Sequence, residues 1–164
     1  MKKCQIVVLI SGFGSNLQAI IDQTKSGQLP VEIKAVVSNK ADAYGLERAQ
    51  KAKIETVVFS LKEFREKGGY GDSPEGKERA RRVYCQKLAT VVEKYHPDLV
   101  VLAGWMLVLT KEFLTKFKDR VINLHPALCP AFPGADGINQ AYDYGVKVLS
   151  LIHISEPTRQ AEIS

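Results

Sequence analysis

Two polar side chains stand close together near the end of a short apolar segment, V-I-N-L-H-P, which begins at Val121. Its apolar residues predict a buried strand over 121–124, and Pro126, which has no N–H to donate, is predicted to end it. Because side chains alternate along a strand, Asn123 and His125 are expected on one face. The amide could donate to a developing oxyanion and the imidazole could transfer a proton near neutral pH. The alternative is a strand end whose two polar residues have ordinary structural partners.

Strand-like and helix-like segments alternate along the chain, as they do in βαβ units. The sequence predicts strands over 5–10, 31–38, 56–59, 99–103 and 121–124. It predicts helices over 16–26, 43–52, 74–95, 110–117 and 137–144, with one helical turn over 61–66. This order indicates a single α/β domain with a doubly wound, mostly parallel sheet. Ligands bind at the carboxyl ends of the strands in such sheets, which is where Asn123 and His125 would lie.

A glycine-rich turn, S-G-F-G-S-N from Ser11 onward, joins the first predicted strand to the first helix. Its glycines permit a tight turn close to a ligand, so a side chain at Gly14 is expected to intrude on that ligand. Leu17 replaces the third glycine of the dinucleotide pattern and the P-loop lysine is absent, so a sugar phosphate fits better than NAD or ATP. A plain capped turn is the alternative. The predicted phosphate ligands are the backbone amides at the helix N-terminus, those of Gly14, Ser15 and Asn16.

The composition is that of an ordinary soluble domain, with 164 residues, 45% of them hydrophobic and 25% charged. No apolar run reaches the ~20 residues of a membrane span, and no signal-peptide cleavage site is evident. Three scattered cysteines, Cys4, Cys85 and Cys129, favour a reducing, cytoplasmic location. The net charge of +5 is spread among acidic residues, so anionic small-molecule substrates explain it better than nucleic acid does. The sequence leaves the oligomeric state open.

Two long motifs resemble those of the folate-dependent formyltransferases. N-L-H-P-A-L-C-P-A-F-P-G, over 123–134, is similar to their N-[IL]-H-P-[SA]-L-x-P-x-[FY]-P-G signature. I-S-G-F-G-S-N-L-Q-A-I-I, over 10–21, narrows the resemblance to the small, single-domain phosphoribosylglycinamide formyltransferases of purine synthesis. The resemblance runs over about 4–148. It implies the Rossmann-like formyltransferase fold, incomplete at the C-terminus.

The resemblance implies transfer of a formyl group from 10-formyltetrahydrofolate, as co-substrate, to the amine of glycinamide ribonucleotide, without a metal. It implies that Asn123 and His125 are catalytic and that Gly14, Ser15 and Asn16 hold the substrate phosphate. It also implies folate contacts by Arg81, Met106, Leu107, Val108, Leu109 and Asn123. From composition alone, the apolar run 106–109 is equally suited to a protein core, and Arg81 is equally a solvated helix charge.

The chain departs from the family pattern in three places. Asp136 stands where the family usually has histidine, and Leu107 where it often has a basic residue. The family also uses an aspartate in a loop beyond the strand that would follow Val148, and nothing in this chain matches it.

The last residues resemble a translated sequencing adapter. L-S-L-I-H-I-S-E-P-T-R, from Leu149 to Arg159, matches it throughout. We therefore predict a formyltransferase region over 1–148 and a non-native tail over 149–164, and expect the chain as it stands to be inactive. The alternative is a genuine strand over 146–154 with a polar end.

Other functions stay open at this stage. A formyltetrahydrofolate hydrolase or a formyltransferase acting on another amine is nearest, although the S-G-x-G-S-N-L loop favours the ribonucleotide enzyme. A non-catalytic nucleotide-binding module would bind through the phosphate loop without turnover. A redox Rossmann enzyme would bind NAD tightly.

Overall fold

The computed structural model describes residues 3–127, 137–145 and 150–154. Its strands are β1 (Cys4–Ile10), β2 (Val31–Ser38), β3 (Glu55–Val58), β4 (Leu99–Leu102), β5 (Val121–Ala127) and β6 (Ser150–Ile154). Its helices are α1 (Ser15–Lys25), α2 (Tyr44–Lys51), α3 (Leu61–Gly68), α4 (Pro74–Glu93), α5 (Lys111–Lys116) and α6 (Gly137–Asp143). No described helix is both long and apolar enough to cross a membrane.

The strands form one sheet in the order β3-β2-β1-β4-β5-β6. The pairings from β3 to β5 are all parallel, and β6 pairs with β5 antiparallel at the edge. The prediction of a doubly wound, mostly parallel sheet is therefore confirmed. In the centre of the sheet, Leu9 of β1 is level with Leu102 of β4, and Leu102 is level with Asn123 of β5.

The sheet is covered on both faces, which explains the unbroken apolar run of β1. Val7 and Leu9 pack in a cluster with buried residues of α4 and α5, among them Tyr84 and Phe113. Val8, with its neighbours Ile6 and Ile10, packs in a second cluster with buried residues of α1 and α2. Each fully buried aliphatic side chain contributes about 1.5–3 kcal/mol to folding.

Helix α3 is longer than the single turn that the sequence predicted. The Ser60 side chain caps it by accepting a hydrogen bond from the Glu63 backbone N–H at 3.3 Å. The helix ends at Gly68, and the next residue, Gly69, has a φ of 62°, the left-handed conformation that commonly follows the end of a helix. The cap and the glycine together stabilise two turns where the apolar pattern suggested one.

Strand β5 also exceeds its prediction, because it continues through Pro126 to Ala127. Its pairing with β6 shifts register between Leu124 and Ala127, at the proline that has no N–H to donate. The shift in register thus accommodates Pro126, so that the strand continues past the proline that was predicted to end it. β6 lies within the suspected tail, but backbone pairing accepts any β-prone segment, so the non-native origin of 149–164 stays a prediction.

Candidate functional site

The order of the strands reverses at β1, which lies between β2 and β4. From β1 the chain proceeds outward to β2 and β3, then returns to the other side of β1 as β4. The carboxyl ends of β1 and β4 therefore border the crevice where doubly wound sheets bind ligands. Two segments flank it: the phosphate loop, residues 11–16, follows β1, and the folate segment, residues 103–109, follows β4.

The phosphate loop leads directly into the N-terminus of α1. Gly14 is the N-cap with a φ of 74°, and Ser15 and Asn16, both exposed, begin the helix. The first N–H groups of a helix have no intrahelical partner, and the helix dipole adds partial positive charge there. The first turn of α1 contains no acidic residue that would repel an anion. The arrangement is suited to binding a phosphate group.

Gly14 is also required by packing within the protein. A Cβ atom on Gly14 would lie 2.7 Å from the Cα of Gly45, at the start of α2, and backbone cannot yield as a flexible side chain can. The neighbouring Gly12 carbonyl accepts a hydrogen bond from the Gly45 N–H at 3.0 Å. The expectation that a side chain at Gly14 would intrude only on a ligand is therefore too narrow. Gly14→Val would strain the fold before any ligand binds.

Ser11 joins the two segments that flank the crevice. Its hydroxyl accepts a hydrogen bond from the Met106 N–H at 2.8 Å, and its own N–H donates to the Gly104 carbonyl at 3.1 Å. The residue is 2% exposed. Sequence reasoning assigned it no role, although a hydroxyl at the end of a buried apolar strand needs a partner and could have signalled one.

The folate segment turns at Gly104, whose φ is 79°. After the turn, Met106 is 65% exposed and Val108 is 42% exposed, whereas Leu109 is 1% exposed in the core. Leu107 is partly buried against the same core. Met106 and Val108 thus offer apolar side chains to a flat ligand. Leu109, buried as a whole residue, anchors the segment.

A half-open cleft of about 910 Å³ lies beside the folate segment. Leu107 lines it, together with residues that follow β2 and β3 and residues of α3. Arg81 does not line this cleft. It is exposed on α4, one residue before Arg82, which pairs with Glu112 at 2.9 Å. Tyr84, three residues after Arg81, is buried, and its hydroxyl donates to the Phe59 carbonyl at 2.5 Å.

Asn123 lies on β5, two strands away from β1, which is roughly 10 Å at the usual strand spacing. It is partly buried and level with Leu102, the last residue of β4. The His125 backbone continues β5, but its side chain lies outside the described part of the structure, as do Asp136 and the rest of the signature from residue 128. The structure therefore brings Asn123, the phosphate loop and the folate segment to one edge of the sheet.

Cys85 is buried beneath the folate segment, with its Sγ 4.0 Å from the Val108 carbonyl oxygen. Burial raises the pKa of this thiol, so it is not a nucleophile near neutral pH. Among the described residues, no three His, Cys, Asp or Glu side chains are grouped as metal ligands.

Comparison with known proteins agrees with this geometry. Residues 4–152 match the family model described as formyl transferase. The chain belongs to the formyl transferase family. The chain is 48% identical over 144 residues to phosphoribosylglycinamide formyltransferase of Dictyostelium discoideum, covering 84% of the chain and 66% of that relative. It is 44% identical over 140 residues to the Escherichia coli K12 enzyme of the same name, covering 85% of the chain and 59% of that relative.

A solved structure gives the same result in three dimensions. The phosphoribosylglycinamide formyltransferase of Coxiella burnetii superposes on this chain with a TM-score of 0.78 at 39% identity. The match covers 94% of this chain and 67% of that one. The chain thus spans about three fifths to two thirds of the length of these relatives.

Proposed function

We propose that this protein transfers a formyl group from 10-formyltetrahydrofolate to the amine of glycinamide ribonucleotide, in de novo purine biosynthesis in the cytoplasm. One observation carries the proposal. The phosphate loop and the folate segment flank the switch point and are joined through Ser11, while Asn123 lies on the adjacent strand. The relatives named above carry the name of this activity.

The two substrates would enter from opposite sides of the crevice. The amides of Gly14, Ser15 and Asn16 would hold the ribonucleotide phosphate. Met106 and Val108 would cover the flat pteridine ring with apolar surface, and Leu107 would border it from the cleft. Arg81 is proposed to contact the more distant, anionic part of the folate, which suits its exposed place on α4.

The chemistry follows from the groups at the edge of the sheet. As the substrate amine attacks the formyl carbon, the Asn123 amide would donate to the oxygen that gains negative charge. Protonated His125 would stabilise the same oxyanion and assist proton transfer. The new C–N bond forms, the bond from the formyl carbon to the folate nitrogen breaks, and the proton lost by the amine is returned to that nitrogen. These steps require no metal and no covalent enzyme intermediate.

The assay uses the complete gene product, defined as the protein encoded by the source DNA up to its stop codon. We expect tetrahydrofolate to form only when glycinamide ribonucleotide is present. Formate release without the amine would instead identify a hydrolase. Tight binding of the ribonucleotide without turnover would identify a non-catalytic binding module.

Asn123→Ala in the complete gene product should lower turnover by about 100-fold or more, the effect of losing one oxyanion donor. Substrate affinities should change much less. Asn123→Asp is the matched variant, because it keeps the size and loses the donor, and it should be at least as slow. Near-normal turnover in both variants would remove Asn123 from the chemistry.

We also propose that residues 149–164 are not native, on the strength of the adapter-like run from Leu149 to Arg159. The native sequence would continue with a strand and a loop that carries an aspartate, which would orient His125 and favour its charged form. The source DNA, read past codon 148, decides this. A clean read that reproduces Leu149 to Ser164 and then a stop codon would refute it.

A further inference from the structure

Helix α2 holds three consecutive residues of the phosphate loop. The Gly45 N–H donates to the Gly12 carbonyl at 3.0 Å, and Gly45 also packs directly against Gly14. The residue between them, Phe13, is held by Arg48, whose Nε–H donates to the Phe13 carbonyl at 3.0 Å. The loop is therefore attached to α2 at the two residues before the phosphate-binding amides and at the first residue that supplies one, Gly14.

Arg48 is the only side chain in these three attachments, and it makes further contacts. One terminal nitrogen donates to the Gln18 side-chain oxygen on α1 at 3.1 Å. Its guanidinium carbon lies 4.5 Å from the centre of the Phe13 ring and 4.9 Å from that of Tyr44. These two rings stack on each other at 5.2 Å. One side chain thus joins the loop, α1 and α2.

We propose that Arg48 is a positioning residue for phosphate binding: it fixes the loop so that the amides of residues 14–16 converge on the ligand. The inference rests on the proposed function, because it assumes that the loop binds the substrate phosphate. Phe13 lies between two glycines, which are the most conformationally free residues. Backbone donors give affinity when they are fixed before binding, since ordering them on binding costs entropy.

Arg48 also carries a positive charge near an anion site, and this charge alone could attract the ligand. The two effects can be separated, because Arg48→Lys keeps the charge but loses the planar fork that reaches the Phe13 carbonyl and Gln18 together. If position matters most, lysine does not restore affinity. If lysine restores full affinity, the charge acts directly and the positioning role is refuted.

The main variant is Arg48→Met, which keeps the length of the side chain and removes its donors and charge. The matched control is Lys51→Met, one turn further along α2, since Lys51 also lies near the Tyr44 ring, at 5.7 Å, and its ammonium pairs with Glu47 of the same helix at 4.0 Å. In the complete gene product, calorimetric titration should show about tenfold weaker binding of glycinamide ribonucleotide for Arg48→Met. Lys51→Met should bind as the wild type does. Folate affinity and turnover at saturation should be unchanged in both.

Hydrogen exchange of the free protein gives a readout that does not depend on the substrate. The amides of Gln18 and Gly45, which donate to the carbonyls of Gly14 and Gly12 at 2.9 and 3.0 Å, should exchange faster in Arg48→Met and remain protected in Lys51→Met. Unchanged exchange and unchanged affinity in Arg48→Met would refute the proposal, and so would equal losses of affinity in both variants.

Ribose 5-phosphate separates this proposal from the proposed function. If the wild type binds ribose 5-phosphate but not glycinamide ribonucleotide, the substrate assignment fails and the Arg48 comparison is made with ribose 5-phosphate. If the wild type binds neither, the loop is not a phosphate site, and both proposals fall.

Discussion

The phosphate loop and the folate segment border one crevice but are held in different ways. The phosphate loop is attached to α2 at three consecutive residues, and its glycines approach α2 so closely that no side chain fits at Gly14. The folate segment is held near its start by Ser11 and at its end by Leu109, and between them it exposes Met106 and Val108. The first region is fixed before a ligand arrives, whereas the second offers apolar surface that a ligand would cover.

The difference matches what each of the two proposed ligands would require. A phosphate group is bound by donors whose directions must be right, and rigid backbone provides them without ordering costs. A flat aromatic ring is bound largely through the area that it removes from water, which needs exposed apolar side chains more than fixed directions. We therefore expect substitutions in the phosphate loop to impair function by misdirecting the backbone donors. Substitutions in the folate segment should impair it by removing apolar contact area.

The largest effect is expected at the anchor of the folate segment. Leu109→Ala should lower the free energy of unfolding by about 2–5 kcal/mol, because it leaves a cavity in the core. Met106→Ala, three residues earlier on the exposed surface, should change stability by less than about 0.5 kcal/mol while weakening folate binding several-fold. Denaturant unfolding and folate titration of both variants test this. Equal stability losses would mean that the segment has no division between anchor and surface.

The next effect compares one glycine from each region. A Cβ atom added at Gly104 would have no neighbour within 4 Å. Gly104→Ala should therefore lower the free energy of unfolding only by the strain of a left-handed alanine, about 1–2 kcal/mol. Gly14→Ala has the same conformational cost and also collides with Gly45, so it should cost about 2–4 kcal/mol. Thermal and denaturant unfolding measure both. If Gly104→Ala were the more destabilising of the two, the phosphate loop would not be the more rigid region.

A smaller effect is expected from charge at the phosphate site. Asn16→Asp should weaken binding of glycinamide ribonucleotide about tenfold, close to 1.4 kcal/mol, because the new carboxylate repels the phosphate. Stability should hold, since acidic residues are favourable at a helix N-terminus. The control is Gln23→Glu, which makes the same change of charge about 10 Å further along α1. Equal losses of affinity in both variants would mean that net charge, and not the loop, attracts the ligand.

The smallest effect is expected at the amino end of β3, away from the crevice, and serves as a reference for the effects in both regions. The Tyr95 hydroxyl donates to the Glu55 carboxylate at 2.5 Å. Two causes raise the pKa of Tyr95 from 10 to about 12: burial is the larger, and the Glu55 carboxylate is the second. Tyr95→Phe should therefore lower the free energy of unfolding at pH 8 by about 1 kcal/mol.

That difference should depend on pH in a defined direction. The folded-state pKa is the higher one, so the contribution of Tyr95 is complete below pH 10 and is lost as the pH rises towards 12. The unfolding curves of wild type and Tyr95→Phe should converge over this range. Tyr142→Phe, at a side chain that is 82% exposed, should show no difference at any pH. A Tyr95→Phe difference that grows with pH would contradict the assignment.

Much of the fold was predictable because the signals are local. The apolar residues of β1 and β2 predicted the bounds of these strands within one residue, and the helix predicted from residue 74 onward begins there as α4. The start of α3 was predictable too, since Ser60 and Glu63 have the spacing of a capping box, whereas the second turn of the helix contains no apolar residue that would signal it. The end of β5 was not predictable, because it depends on a partner strand that adjusts its register at Pro126.

The candidate site was predictable in its outline but not in its connections. The residue types of the phosphate loop and of Asn123 predicted their edge of the sheet, whereas the folate contacts of residues 106–109 were predicted from the family resemblance alone. The contacts of Ser11 with Met106 and of Arg48 with Phe13 span 95 and 35 residues. No periodicity or local motif encodes such tertiary contacts, so the contacts of Ser11 and Arg48 are seen only in the folded structure.

These two sequence separations also bear on how the protein assembles during synthesis. Every contact that attaches residues 12–14 of the phosphate loop to α2 lies within the first 51 residues, whereas the hydrogen bond from Met106 to Ser11 requires a chain twice as long. The entropy of closing the longer loop adds only about 1 kcal/mol, so the order of events is set by emergence from the ribosome. We expect the anion-binding half to be formed on the nascent chain while the other half of the crevice has still to be translated.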